Sequence, residues 1–178
     1  DLKKFKSDTY PAKNIITFLF IGRLLEYKGI NKFLKLAEEL KPNYPSVNFQ
    51  VIGSFDNDDE KSITSDHLNY YIEKKYIKYS SKVDDVRDYI ENAHCIILPS
   101  EYREGVPRAL LEAASMSRPI ITSDSVGCRD VVDNNKSGYL CSPNNYPDLK
   151  KKTIQFIDLP HQKKIEMGKN GRKKMISE

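Results

Sequence analysis

Short runs of β-branched and aromatic residues alternate along this chain with longer stretches whose apolar residues recur every three or four positions. A continuous apolar run of six to eight residues suits a strand buried on both faces, and the longer periodic stretch suits a helix lying against it. Six runs read as strands: residues 15–22 (IITFLFIG), 47–53 (VNFQVIG), 76–82, 95–98 (CIIL), 119–123 (PIITS) and 138–141. Helical spacing occupies residues 31–40, 63–74, 84–92, 107–116, 145–157 and 161–175, and is weakest over 63–74. In 31–40 it places Phe33, Leu34, Leu36, Ala37 and Leu40 together, ahead of Pro42. Pro107 suits a first helical turn, and Arg118-Pro119 closes the same helix. Strands and helices alternating at this pace predict an α/β fold: a Rossmann-like parallel sheet of about six strands with helices on both faces.

The 178 residues fit one domain with a sizeable core, although only 39% are hydrophobic and 30% are charged. No apolar run approaches the ~18–20 residues of a membrane helix, and no signal peptide opens the chain. A start at Asp1 without Met reads as a piece of a longer protein. The net charge of +4 is too small and too scattered for nucleic-acid binding, so no nucleic acid is expected as partner. The basic runs at 150–152 and 172–174 read first as solvated helix faces and second as an attraction to an anionic membrane surface. Cys95, Cys128 and Cys141, with His67, His94 and His161, form neither a zinc pattern nor a disulfide framework. A reducing compartment and no metal or other cofactor are expected.

Ligands of such sheets bind where strands end and loops lead into helices. The first such loop, residues 22–29 (GRLLEYKG), offers Gly22 for close backbone approach and two cations, Arg23 and Lys28, near a helix start. It fits a diphosphate. It equally fits a surface loop in which Glu26 pairs with Arg23 or Lys28, and by itself favours that plainer reading. The second, residues 99–107 (PSEYREGVP), carries Glu104, whose carboxylate suits vicinal hydroxyls, and the amides of Gly105 and Val106 at a helix start. Glu112 lies farther along that helix, offset from the sheet-facing Leu110 and Ala114. The plainer readings are an i, i+4 pair between Arg108 and Glu112 and a favourable charge near a helix N-terminus for Glu104. In the third loop, residues 123–130, Gly127 opens a short helix that Asp124 is expected to cap.

Taken together, these loops resemble the C-terminal, donor-binding half of GT-B glycosyltransferases, of the large retaining family 4 (group 1) type. The resemblance rests on Gly22-Arg23 with Lys28-Gly29, on Pro99-Ser100, on the stretch from Glu104-Gly105-Val106-Pro107 to Glu112-Ala113 with its two glutamates eight positions apart, and on Pro119 to Asp124 followed by Gly127 to Val132 and Ser137-Gly138. It extends from the opening residues 1–5, which resemble an interdomain segment, to about Leu140. It implies that Arg23 and Lys28 hold the diphosphate of a nucleotide-sugar donor, with Glu104 on sugar hydroxyls. Gly105 and Val106 would touch sugar or phosphate through their amides, Glu112 would hold the ribose hydroxyls, and Val83 would lie beside the base. It also implies retaining transfer of a hexosyl or N-acetylhexosaminyl group, with a UDP-sugar as donor and a glycan or lipid-linked acceptor. Residues 1–178 would form the nucleotide-sugar-binding domain, without the N-terminal acceptor domain, and the isolated piece would transfer little or nothing. The expected location is cytoplasmic, including the inner face of the membrane. Competing readings are a noncatalytic nucleotide- or phosphosugar-binding module, a GT-B-fold sugar epimerase, and an interaction domain docking through its basic end.

Overall fold

The computed structural model describes residues 1–101 and 105–177. The elements run β1 (Ile16–Ile21), α1 (Ile30–Leu40), β2 (Val47–Ile52), α2 (Ser65–Glu73), β3 (Lys78–Ser80), α3 (Arg87–Asn92), β4 (Cys95–Leu98), α4 (Arg108–Ser115), β5 (Ile120–Ser123), α5 (Cys128–Val131), β6 (Gly138–Cys141), α6 (Tyr146–Asp158) and α7 (His161–Ser177). One sheet orders its six strands β3-β2-β1-β4-β5-β6, and every neighbouring pair is parallel. The chain therefore leaves β1 toward one edge and later leaves β4 toward the other. Right-handed crossovers in opposite directions put α1 and α2 on one face and α4 and α5 on the other. The two central strands carry the most apolar runs for this reason: Phe18, Leu19 and Phe20 of β1 and all four residues of β4 are buried. Phe18, Phe33, Phe49 and Phe156 pack ring to ring on the α1 face, with centroids 5.4–5.7 Å apart.

Local chemistry trims several of the predicted segments. β3 is three residues long, since the amides of Tyr76 and Ile77 bond to the Tyr71 carbonyl at the end of α2 and are lost to the sheet. α2 starts at Ser65, where the Thr64 hydroxyl accepts the His67 amide at 3.2 Å. α3 starts at Arg87 and not Asp84, after a tight turn in which the Asp85 carboxylate accepts the Arg87 amide at 3.0 Å. Pro107 caps α4 from outside in extended geometry, one residue before the helix begins.

The amino ends of the strands are closed by buried polar groups. Arg118, fully buried, donates to the carbonyls of Ile90 (2.9 Å), Glu91 (2.7 Å) and Met116 (2.9 Å). His94 Nδ1 accepts the Thr17 amide at 3.1 Å, and its Nε2 lies 3.0 Å from the Ala12 carbonyl. Lys164 donates to the Ile157 and Leu159 carbonyls at the end of α6, where a cation also suits the helix dipole. The carboxyl ends are left to the loops.

Candidate functional site

The switch point lies between β1 and β4, whose crossovers leave in opposite directions, the place in open α/β sheets where a crevice forms at the carboxyl ends of the strands. The loop after β1 is held from below. Leu24 and Leu25 are buried, the Leu24 amide bonds to Ser54 O and the Ile63 amide to Leu24 O, both at about 3 Å. Gly22 continues the pairing with β2 through its amide to Ile52 O at 3.0 Å. Arg23 stands between these anchors with its side chain half exposed, and Nη1 meets Asp56 Oδ2 at 2.7 Å. Arg23 is thus paired with an acid from the loop after β2, not with Glu26, which reaches Lys61 at 3.8 Å. Lys28, half-buried, closes a single 3-10 turn, Glu26–Lys28, just before α1.

The loop after β4 lies against that turn. Gly29 adopts φ +84°, and a Cβ there would stand 2.4 Å from the Pro99 carbonyl oxygen, so the close approach of the two loops requires glycine. Ser100 is fully buried, and the Glu101 amide donates to Tyr27 O at 2.8 Å. Glu104 lies outside the described residues. Gly105 and Val106 are exposed, and among the described residues a Cβ on Gly105 would meet nothing within 4 Å. Val83, beyond β3, is half-buried against the edge of the core.

Glu112 occupies a different setting. It lines a cavity of about 320 Å³ with Asp1, Lys4, Phe5, Arg108, Leu111 and Ser115. Its side chain is only 17% exposed, while Arg108 Nη2 stands 3.8 Å from Oε1 on a side chain that is 90% exposed. Burial pushes the Glu112 carboxyl up from its ordinary value, and the positive charges of Arg108 and Lys4 offset this only in part. The i, i+4 contact with Arg108 is therefore present, yet too loose to account for the burial of the carboxylate. This cavity includes none of Gly22, Arg23, Lys28, Val83, Gly105 and Val106. The structure draws the β1 and β4 loops together and leaves Glu112 beside the N-terminal segment, whose turn is built on Asp1 Oδ1 accepting the Lys3 and Lys4 amides.

Asp124 does not cap α5. Gly127 precedes that helix with φ +82° and no side-chain cap, while Asp124 pairs with Arg129 Nε at 3.0 Å. Sequence reasoning missed Asp56 as the partner of Arg23, and also Tyr27, Lys32, Glu101 and Asn144 around the junction of the two loops. The signal for Glu101 was its place directly after Pro99-Ser100, and that for Tyr27 its place in the 22–29 loop; Asp56 and Asn144 are distant in sequence. Among the described residues no group of three His, Cys, Asp or Glu could hold a metal, and no helix is long and apolar enough to cross a membrane.

The family described as Glycosyl transferases group 1 matches residues 2–174. An N,N'-diacetylbacillosaminyl-diphospho-undecaprenol alpha-1,3-N-acetylgalactosaminyltransferase of Campylobacter jejuni is 28% identical over 152 residues, 85% of this chain and 38% of its own. The chain spans about 40% of the length of the curated relatives it matches. The C-terminal domain of the group 1 glycosyl transferase LpcC from Francisella tularensis superposes with a TM-score of 0.82 at 18% identity, covering all of this chain and 97% of that one. Anabaena HepE in complex with UDP gives 0.83 at 17% identity, over 99% of this chain and half of that one. The fold is that of the C-terminal half of GT-B glycosyltransferases. With the match running over nearly its whole length, the chain belongs to the group 1 glycosyl transferase family.

Proposed function

We propose that this domain, residues 1–178, binds the nucleotide-diphosphate sugar of a retaining glycosyl transfer, with a UDP-sugar as donor and a glycan or lipid-linked acceptor held by the remainder of the protein. The observation that carries the reading is Glu112: a carboxylate largely withdrawn from water, beside a cavity, with no tight cationic partner among the described residues. Such a group costs folding energy unless a ligand supplies donors, and a vicinal diol supplies two. In this reading Glu112 holds the ribose, Val83 flanks the base, and Arg23 and Lys28 neutralise the diphosphate. Glu104 and the amides of Gly105 and Val106 take the sugar and its adjoining phosphate. Cations and oriented amides at the departing diphosphate supply the electrostatic stabilisation that such a transfer needs, with no metal required. UDP in the complex of Anabaena HepE supports the choice of base. Three buried free thiols suit a reducing compartment, the cytoplasm or its membrane face.

Calorimetry with UDP and with uridine tests the assignment. Arg23→Ala should weaken UDP by about 2 kcal/mol, roughly thirtyfold, and leave uridine unchanged, because the lost charge faces phosphate alone. Equal losses for both ligands would refute the diphosphate role.

A further inference from the structure

The loop that leads from β4 into α4 is pinned at Glu101. Pro99 and Ser100 are buried, and Ser125 Oγ stands 3.4 Å from Ser100 O. At Glu101 three separate elements converge. Its amide donates to Tyr27 O in the β1 loop, and its carboxylate forms an ion pair with Lys32 of α1. With its amide turned so that the nitrogen faces the carboxylate, Asn144, from the loop after β6, donates to the same two oxygens at 2.5 and 2.6 Å. Both members of the ion pair are mostly shielded, at 21% and 28% exposure, unlike the solvated pairs elsewhere on the surface. Four residues later, a Cβ on Gly105 would meet nothing within 4 Å among the described residues.

We propose that Lys32 and Glu101 are a positioning pair: they fix the base of this loop so that Gly105 and Val106 present their amides to the sugar diphosphate. The proposal rests on the donor-binding reading above and adds residues that touch no ligand. Lys32 is two residues into the helix that follows the Arg23–Lys28 loop, so the ion pair joins the two loops that flank the crevice, beside the Glu101–Tyr27 hydrogen bond and the Gly29–Pro99 approach. A half-buried pair suits this task better than an apolar contact, because its geometry is directional and breaking one partner leaves the other charge shielded and uncompensated.

Two readouts on this chain decide it. In ligand-free Lys32→Met, hydrogen exchange at the Glu101 amide should be at least about tenfold faster, with the melting temperature within a few degrees of wild type. On titration with UDP, the shifts of the Gly105 and Val106 amide signals should shrink and the dissociation constant rise roughly tenfold, whereas Lys32→Arg should restore all of these. Unchanged exchange at Glu101, or wild-type UDP shifts at Gly105 and Val106 in Lys32→Met, would overturn the proposal. If Lys32→Met does not fold, Glu101→Gln, which keeps the size and the Asn144 contact, is read in the same way. A wild-type chain that ignores both UDP and GDP would sink the donor reading instead, while exchange at Glu101 without nucleotide still decides whether the anchor exists.

Discussion

Glu112 is held where water is scarce and the compensating cation is loose, so its charge works against folding. Its carboxyl is raised above the ordinary glutamate value, chiefly by burial. A raised carboxyl costs stability where it must ionise: the cost is absent below the unfolded value near 4.5 and complete above the folded value. Glu112→Gln should therefore be at least as stable as wild type at pH 7 and lose that advantage as the pH falls through the folded value toward about 4.5, as urea titrations at several pH values would show. The same variant should bind both UDP and uridine roughly tenfold more weakly, since the charged acceptor for the ribose is gone. Gains in folding with losses in binding mark a site residue; losses in both would mark a packing residue. Arg118 is the opposite case. From sequence it only ended a helix, yet it is fully buried and satisfies three backbone carbonyls. Arg118→Ala should cost at least about 3 kcal/mol in chemical denaturation, because the buried carbonyls lose a charged donor and, among the described residues, only that of Ile90 keeps an amide, from Ala93. Nothing in the local pattern marks such a residue, since its partners lie 2, 27 and 28 positions away in the chain.

Elements with a strong period were legible, and those fixed by tertiary bonds were less so. α4 shows the first kind: Leu110, Ala113 and Ala114 recur at helical spacing and are buried, together with Ser115. β3 shows the second, because the edge strand shortens once Tyr76 and Ile77 spend their amides on the end of α2. The turn Glu26–Lys28 and its contact with the β4 loop were not legible at all. Gly29 stood in the sequence as an ordinary loop glycine, and only the fold shows Pro99 where its side chain would be. Gly29→Ala meets two penalties, a positive φ and a backbone atom 2.4 Å from the new Cβ. The expected loss is about 2 kcal/mol or more in thermal or urea unfolding. Amide signals of Tyr27 and Glu101 should move most, since their hydrogen bond spans the displaced junction.

Across the whole molecule the two ends of the sheet have divided tasks. Alternation of strand and helix made the parallel sheet legible, but the order that puts β1 beside β4 is a matter of distant pairing, and the crevice between their loops follows from that order alone. Asp56 as the partner of Arg23, and Lys32 and Asn144 as the partners of Glu101, could not be named in advance. The amino end carries buried polar groups that tie the opening segment to the sheet, and there His94 makes folding sensitive to acid. Its ring is buried, Nδ1 accepts an amide, Nε2 faces the Ala12 carbonyl, and the Tyr10 hydroxyl donates to His94 O at 2.7 Å. Protonation would remove the Nδ1 acceptor and place a new charge in a field set by Arg118, Lys164 and His161, with the Tyr10 ring edge-on. Burial holds its pKa below the ordinary 6.5, so the unfolded chain takes up the proton first. Stability from this residue is then complete above about pH 6.5 and falls as the pH drops through that value toward the folded one. Urea unfolding at about pH 7.5 and 5.5 should show the wild type weaker in acid, and His94→Gln should flatten that difference. Hydrogen exchange in the acid sample should quicken first at the Thr17 amide, because it loses its acceptor, while the Leu24 and Glu101 amides at the far end keep their protection. A uniform quickening at both ends would mean that acid acts on the sheet as a whole, and that the division of labour between its ends is wrong.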